Sequence, residues 1–269
     1  MKCRNCGWEI ERNYCTNCGQ HRANHNHSVW QFLQEFLEEF VRFDSKLVRT
    51  LTPLVTKPGF LTKEWTEGKR ASYITPLKLY VTISALCFLL ISMRANGTSS
   101  APSAVQSRLD VLVNAAAPKA SNLDPNSVRD HFFTHLPTAS LVVIPFSSLV
   151  LCLLYLRPKR FYVEHLVFVL HYNSFCFLVF GVALLVPGAL PSQILRLAAF
   201  LWSFGYLPFA IKLNYGQGWG KTLLKFASFG VLYLALVILA IVFTAKVSVE
   251  LASMLPSPAI SSAPVHSHA

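Results

Sequence analysis

Four cysteines near the N-terminus are the residues of this sequence best suited to bind a metal ion. They form two Cys-x-x-Cys pairs, each followed by glycine, with eight residues between the pairs: Cys3, Cys6, Cys15 and Cys18. The two-residue spacing lets one tight turn aim both sulfurs of a pair at the same ion, and four thiolates complete a tetrahedral zinc site. Glycine after each second cysteine suits a turn position with positive φ. We therefore predict a closed, structural zinc site without an open position for catalysis.

The alternatives to zinc are a pair of disulfides or a redox Cys-x-x-Cys motif. A redox motif normally lies in a thioredoxin-like βαβ setting, which this sequence does not predict. The nearby His21, His25 and His27 could compete as ligands, but a complete cysteine set makes them unnecessary. A segment of about 20 residues cannot bury a useful core, so metal binding should supply much of its folding free energy. We predict a zinc-ribbon-like head over residues 1–24.

A second group of polar residues, Glu164, His165 and His171, lies at or within a long apolar segment. Glu164 and His171 are seven positions apart, so they share one face of a helix. Ionisable groups at membrane depth are costly and are candidates for function, here a proton relay or a polar pocket. The structural alternative is that Glu164 pairs with Arg157 or Arg160, and that His171 hydrogen-bonds across helices.

The segments that carry these residues have the composition of a membrane protein. Hydrophobic residues make up 53% of the 269 residues and charged residues only 14%, whereas soluble domains are nearer a quarter charged. A spanning helix needs about 20 mainly apolar residues. Five segments qualify: 77–93, 139–156, 165–186, 194–213 and 222–245. We therefore predict an all-α membrane protein with about five transmembrane helices in a bundle over residues 76–250, followed by a disordered tail at 251–269.

Residues 25–75 are predicted to form a juxtamembrane region with an amphipathic helix. Ser28 and Gln31 fit a capping box, and apolar residues recur with helical spacing over residues 29–41. This helix could lie on the membrane surface or pack on the bundle, and we favour packing. A Lys-Pro-Gly turn and a short helix over 60–67 follow, with basic residues that suit the headgroup layer.

The formal net charge of +11 is distributed as the positive-inside rule requires, which argues against nucleic acid as the partner. Of the 24 Lys and Arg residues, 12 lie before residue 79, and others lie in the loops after the second and fourth spans. The segment at 186–193 has none. We predict an inner-membrane protein with a cytoplasmic N-terminus and an external C-terminus. Arg196, near the outer start of the fourth span, is interpreted as an interfacial anchor.

Several motifs occur in a characteristic order. The two Cys-x-x-Cys-Gly pairs are followed by Phe-Asp-Ser-Lys-Leu-Val-Arg-Thr-Leu, Lys-Pro-Gly and Gly-Lys-Arg-x-x-Tyr-x-x-Pro-Leu, and later by Tyr-Val-Glu-His-Leu-Val-Phe. Together they resemble the bacterial membrane-protein family catalogued as domain of unknown function 3667, closely over residues 1–95 and more loosely beyond. The resemblance implies an inner-membrane protein with a zinc-ribbon-like head, and it implies no established activity or catalytic residues.

The sequence favours a non-enzymatic function, because it lacks the common hydrolase, nucleotide-binding and metalloprotease motifs. We expect an anchor, scaffold or sensor whose head docks a cytoplasmic protein, and an oligomer is compatible with the sequence. The alternative is a small-solute transporter or channel that uses Glu164, His165 and His171, because Pro145, Gly205 and Pro208 could interrupt its helices. A water-filled cavity that reaches His171 would favour the alternative, and a solid apolar bundle would favour the scaffold.

Overall fold

The computed structural model describes residues 2–9, 14–20, 46–97, 125–155, 160–186 and 189–254. Seven helices occupy most of these residues: α1 (Lys46–Thr56), α2 (Phe60–Thr66), α3 (Pro76–Gly97), α4 (Pro125–Leu154), α5 (Tyr162–Leu185), α6 (Ala189–Tyr215) and α7 (Trp219–Met254). The described residues contain no β-strand, and Lys2 and Glu9 form an isolated antiparallel bridge. The predicted all-α class is confirmed. The predicted helix at 29–41 and residues 255–269 of the predicted tail lie outside the described residues. Residues 251–254, predicted as part of the disordered tail, instead form the end of α7.

Four of the described helices are long and apolar enough to cross a membrane. Their apolar segments are Thr134–Leu154 in α4, Tyr162–Leu185 in α5, Gln193–Tyr215 in α6 and Trp219–Leu251 in α7. Helix α3 adds a shorter apolar segment, Pro76–Ile91. Each of the five predicted spans overlaps one of these segments. The chain therefore has the helices expected of an integral membrane protein.

Helices α4 and α7 extend furthest beyond the predicted spans. Helix α4 begins at Pro125, well before the predicted start at residue 139, and α7 continues to Met254, past the predicted end at residue 245. A search for apolar residues detects only the part of a helix that needs hydrocarbon around it. Backbone hydrogen bonding can continue through the more polar residues on either side, so helix ends are less predictable than spans.

The chain divides into two compact units, and the first comprises residues 1–97 and 142–236. Within this unit α5 occupies the central position, since it packs against α1, α2, α3 and α6. Its side chains form much of the buried core, including Val167, Leu170 and Phe175, each no more than 1% exposed. The second unit comprises residues 98–141 and 237–269, and its buried side chains include Phe132 and Val249.

Helices α1 and α2 form a hairpin that packs on the bundle of the first unit. Leu54 of α1 and Trp65 of α2 are buried, and the Tyr206 hydroxyl of α6 donates a hydrogen bond to the Leu54 carbonyl at 2.8 Å. Gly59 ends the turn with φ of 76°, which favours glycine. A Cβ atom at this position would lie 2.8 Å from the Ala210 carbonyl oxygen. The hairpin therefore approaches α6 as closely as a glycine allows.

Basic side chains gather where α4 ends, α5 begins, α6 ends and α7 begins. Tyr155 stacks on Tyr215 with ring centroids 3.8 Å apart, and the Lys225 ammonium lies 3.7 Å from the Tyr155 ring centroid. The Arg160 guanidinium donates a hydrogen bond to the Asn214 carbonyl at 2.5 Å. These contacts bring Arg160, from the loop before α5, and Lys225, from the first turns of α7, to one end of the first unit.

Candidate functional site

The four N-terminal cysteines converge on one point. Their Sγ atoms all lie within 4.8 Å of one another, with 3.6 Å between Cys3 and Cys18 and 3.5 Å between Cys6 and Cys15. Bonds of about 2.3 Å in a tetrahedral zinc site place the sulfurs about 3.8 Å apart. The observed distances fit a single ion at the centre of the four, and no cysteine of the chain forms a disulfide. The four cysteines can therefore bind a metal ion.

The two cysteine pairs have the same backbone conformation. In the first, the Gly7 N–H donates to the Cys3 carbonyl at 2.8 Å, and in the second the Gly19 N–H donates to the Cys15 carbonyl at 2.9 Å. Both glycines have positive φ, 77° and 71°, as predicted from their positions after the second cysteine. The repeated turn presents both sulfurs of each pair to the same side, which is how a short segment without a core can assemble four ligands.

The thiols must lose protons when an ion binds, since thiolates are the ligands of zinc. Cys3 and Cys15 are buried, whereas Cys6 is exposed. Burial raises the pKa of the Cys18 thiol to about 11, so this thiol carries a proton at neutral pH until a cation displaces it. The donor set of four sulfurs suits a soft or borderline ion such as zinc.

The head contacts the loop between α2 and α3. The Gln20 side-chain amide donates to the Gly68 carbonyl at 2.5 Å, and its oxygen accepts the Ala71 N–H at 3.5 Å. The Ser72 hydroxyl donates to the Asn5 side-chain oxygen at 2.9 Å. Gln20 lies two residues after Cys18, and Asn5 lies between the two cysteines of the first pair. Residues within or next to the cysteine pairs therefore make the contacts to the loop.

The same loop is held by ion pairs to α2. The Lys69 ammonium lies 2.7 Å from a Glu64 carboxylate oxygen and 3.0 Å from one of Glu67. Hydrogen bonds to these carboxylates raise the pKa of Lys69. All three side chains are partly exposed, so the pairs add little stability. They fix the direction in which the chain leaves α2.

Glu164 lies at the start of α5 and pairs with Arg160 one turn earlier. The Arg160 Nη1 and Glu164 Oε2 atoms are 3.3 Å apart, and both side chains are partly buried. The same guanidinium also lies 5.2 Å from the Tyr215 ring centroid. Glu164 is therefore paired with Arg160, as in the structural alternative described in the sequence analysis.

His165 faces the end of α6. Its Nδ1 atom and the Tyr215 hydroxyl share a hydrogen bond at 2.7 Å, and the two rings are nearly parallel at 16°. His165 is 1% exposed. The side chain links α5 to α6 close to the basic residues at this end of the unit.

His171 faces α2 instead. Its Nδ1 atom shares a hydrogen bond with the Thr62 hydroxyl at 2.9 Å, and both side chains are buried. An adjoining cavity of about 20 Å³, lined by Trp65, Tyr73 and Thr75 among others, reaches the imidazole. This volume is enough for about one water molecule. The three residues of the predicted polar cluster thus have three separate sets of partners, and a joint function for them stays a prediction.

A comparison with known protein families finds a match that includes the α1–α2 hairpin. Residues 44–88 match the model of a family described as protein of unknown function (DUF3667). The match agrees with the resemblance seen in the sequence motifs and covers α1, α2 and the first part of α3. No curated protein and no solved structure matches the chain.

The DUF3667 segment, residues 44–88, makes polar contacts that sequence reasoning missed. Thr62 bonds to His171, and the Asn214 side-chain amide donates to the Gly59 carbonyl at 3.1 Å. Neither Thr62 nor Asn214 belongs to a motif with recognised chemistry. The one available signal was Asn214 itself, an amide that directly follows an apolar segment and must find partners when buried.

Proposed function

We propose that this chain is a multi-pass inner-membrane scaffold or sensor in which a structural zinc ion folds a cytoplasmic head that docks a protein partner. The observation that carries the proposal is the convergence of four cysteine sulfurs within 4.8 Å in a segment that contacts the DUF3667 segment. A closed four-sulfur site has no position for a substrate, so it supports a structural function rather than catalysis.

The surroundings of His171 support a scaffold over a transporter. A solute pathway through Glu164, His165 and His171 requires a continuous polar cavity, and the cavity beside His171 has room for about one water molecule. The three side chains are engaged with Arg160, Tyr215 and Thr62. Side chains that connect helices in this way stabilise a bundle.

The cytoplasmic location of the head is supported by charge. The head contacts the α2–α3 loop, which carries Lys69 and Arg70, and the ends of four helices gather Arg160 and Lys225 at one end of the unit. Basic residues concentrate on the cytoplasmic side of membrane proteins. With five spans, the C-terminus is then outside, so a reporter enzyme that is active only outside the cytoplasm should be active when it is fused after Ala269. An inactive reporter at this position would refute the orientation.

The metal assignment is tested by Cys3→Ser/Cys6→Ser in the purified full-length protein. We expect one zinc per wild-type chain by elemental analysis and none in the double variant, because two ligands are lost. Cys152→Ser, a change within α4, is the matched control and should keep the full zinc content. Equal zinc in the double variant and the control would refute the site.

The docking function is tested with the same three proteins, cross-linked in intact cells and recovered from membranes. A cytoplasmic protein should be recovered with the wild type and Cys152→Ser, and lost with Cys3→Ser/Cys6→Ser. Recovery that is independent of the head cysteines would leave the zinc site intact and overturn the docking function. The two parts of the proposal can therefore fail separately.

A further inference from the structure

A cavity of about 380 Å³ lies within the first unit, against α3, α5, α6 and α7. It does not touch the metal site or the two histidines. Most of its lining is apolar, including Ile91, Phe177, Phe180 and Leu184. The volume is within the range of ligand sites, which begins near 300 Å³. An apolar cavity in a membrane-spanning unit is suited to hydrocarbon rather than to a polar solute.

The cavity has the depth of one leaflet. Asn173 lies at the middle of α5, and Leu184 lies one residue before the end of that helix. At 1.5 Å per residue these two lining residues are about 16 Å apart along the axis. The hydrocarbon core of a bilayer is about 30 Å thick. The cavity therefore extends from mid-depth to one membrane face, the distance that one acyl chain occupies.

A positive charge lies in the wall of the cavity. Among the described residues that line it, Arg196 is the only one with a charged side chain, and it is near the start of the apolar segment of α6. A guanidinium can bind two phosphate oxygens at once. Its long side chain can also reach the headgroup layer from a position inside the span. The part of the cavity beside Arg196 is therefore complementary to an anionic headgroup.

The deep end of the cavity has polar side chains that are already paired. The Tyr233 hydroxyl donates to the Asn173 side-chain oxygen at 2.9 Å, and the Asn173 amide donates to the Val169 carbonyl at 2.9 Å. Both side chains already have hydrogen-bond partners within the protein, so an apolar ligand beside them breaks neither of these bonds. The deep end can therefore accept the methyl end of a chain.

We propose that this cavity binds one acyl chain of an anionic phospholipid, with the phosphate at Arg196 and the end of the chain beside Asn173 and Tyr233. The depth of the cavity fixes the length of the ligand, and the single positive charge fixes the sign of its headgroup. Binding at this site is independent of the zinc head, so it can be tested whether or not the head docks a partner.

Native mass spectrometry of the full-length protein in detergent tests the proposal with two probes. Phosphatidylglycerol and phosphatidylcholine with identical acyl chains both carry a phosphate, but the choline ammonium makes the second headgroup neutral overall. We expect one phosphatidylglycerol per chain, bound about tenfold more tightly than phosphatidylcholine, because the choline ammonium is repelled by the Arg196 guanidinium. Arg196→Gln should abolish the difference, and Arg196→Lys should restore part of it.

Variants that fill the cavity with a larger side chain provide a second test of the proposal. Ile91→Trp, or Leu184→Trp if the first variant does not fold, should remove the bound lipid. Leu89→Trp is the matched control, since Leu89 lies on the same helix, is 56% exposed and does not line the cavity. Equal lipid retention by a folded filled variant and the control would overturn the proposal. So would equal binding of the two lipids by the wild type, or a second copy of the chain bound in place of lipid.

Discussion

Helices α5 and α7 are both long and apolar, yet they have opposite surroundings. Half of the most apolar window of α5 is buried inside the protein, whereas only 6% of the corresponding window of α7 is buried. Helix α5 buries polar side chains such as His165, His171 and Ser174 among other helices. Helix α7 instead exposes large apolar side chains, including Leu234 and Leu239.

The comparison teaches that hydropathy identifies a span but does not tell which span is central. Lipid is as apolar as leucine, so an apolar face gains little by leaving lipid for protein. Polar side chains gain more, because only another helix can supply their hydrogen bonds. Each helix buries three polar side chains, but His165 and His171 of α5 bond to other helices, whereas the Thr244 and Ser248 hydroxyls of α7 donate to carbonyls of their own helix. The helix whose buried polar side chains bond to its neighbours is therefore the one surrounded by protein.

The largest expected difference concerns core packing. Phe175→Ala in α5 should destabilise the protein by about 3 kcal/mol, because a fully buried ring that stacks on Tyr206 leaves a cavity. Leu239→Ala in α7 removes a side chain that is 65% exposed, and its effect should stay within about 0.5 kcal/mol. Unfolding in mixed detergent with increasing dodecyl sulfate gives both values. Similar losses at the two positions would contradict the central placement of α5.

A smaller effect is expected for the hydrogen bond between the hairpin and α5. In a double-mutant cycle, Thr62→Val and His171→Ala should show a coupling free energy of about 1 kcal/mol, within the range of membrane hydrogen bonds. Ser228→Ala in α7 is the control, because the Ser228 hydroxyl donates to its own helix at the Leu224 carbonyl. It should show no coupling to His171→Ala. Zero coupling between Thr62 and His171 would mean that their contact contributes nothing to hairpin packing.

The smallest effect concerns a contact of α7 with α5. Tyr233→Phe removes the hydroxyl that donates to Asn173 and should cost about 0.6 kcal/mol. Leu234→Ala, one position further along α7 and 58% exposed, provides the baseline. If Tyr233→Phe has no effect beyond that baseline in the same unfolding assay, this hydrogen bond does not help to hold α7 against α5.

Local spacing made part of the molecule predictable. The convergence of the four cysteines and the positive φ of Gly7 and Gly19 follow from contacts within a few residues of sequence. The five apolar helices follow from length and composition. The cysteine and glycine spacing and the apolar segments can each be recognised within a short stretch of sequence. The structure agrees with both predictions.

The packing of the hairpin was not predictable in the same way. Thr62 and His171 are 109 positions apart, and Gly59 and Asn214 are 155 apart. Each contact uses a single polar side chain or a backbone carbonyl. Such a contact leaves no periodic pattern of residues in the sequence. The sequence also did not predict that His165 and His171 would bond to different helices, because tertiary packing decides which helix faces each side chain. The hydrogen bonds of both histidines therefore required the structure.

The turn at Gly59 has a consequence for engineering the protein. A methyl group there would collide with the Ala210 carbonyl, so even the smallest side chain must push the hairpin and α6 apart. The loop that follows the hairpin carries the contacts of Gln20 and Asn5. One added carbon atom at Gly59 would thus loosen the contact between the hairpin and the head and leave the four N-terminal cysteines unchanged.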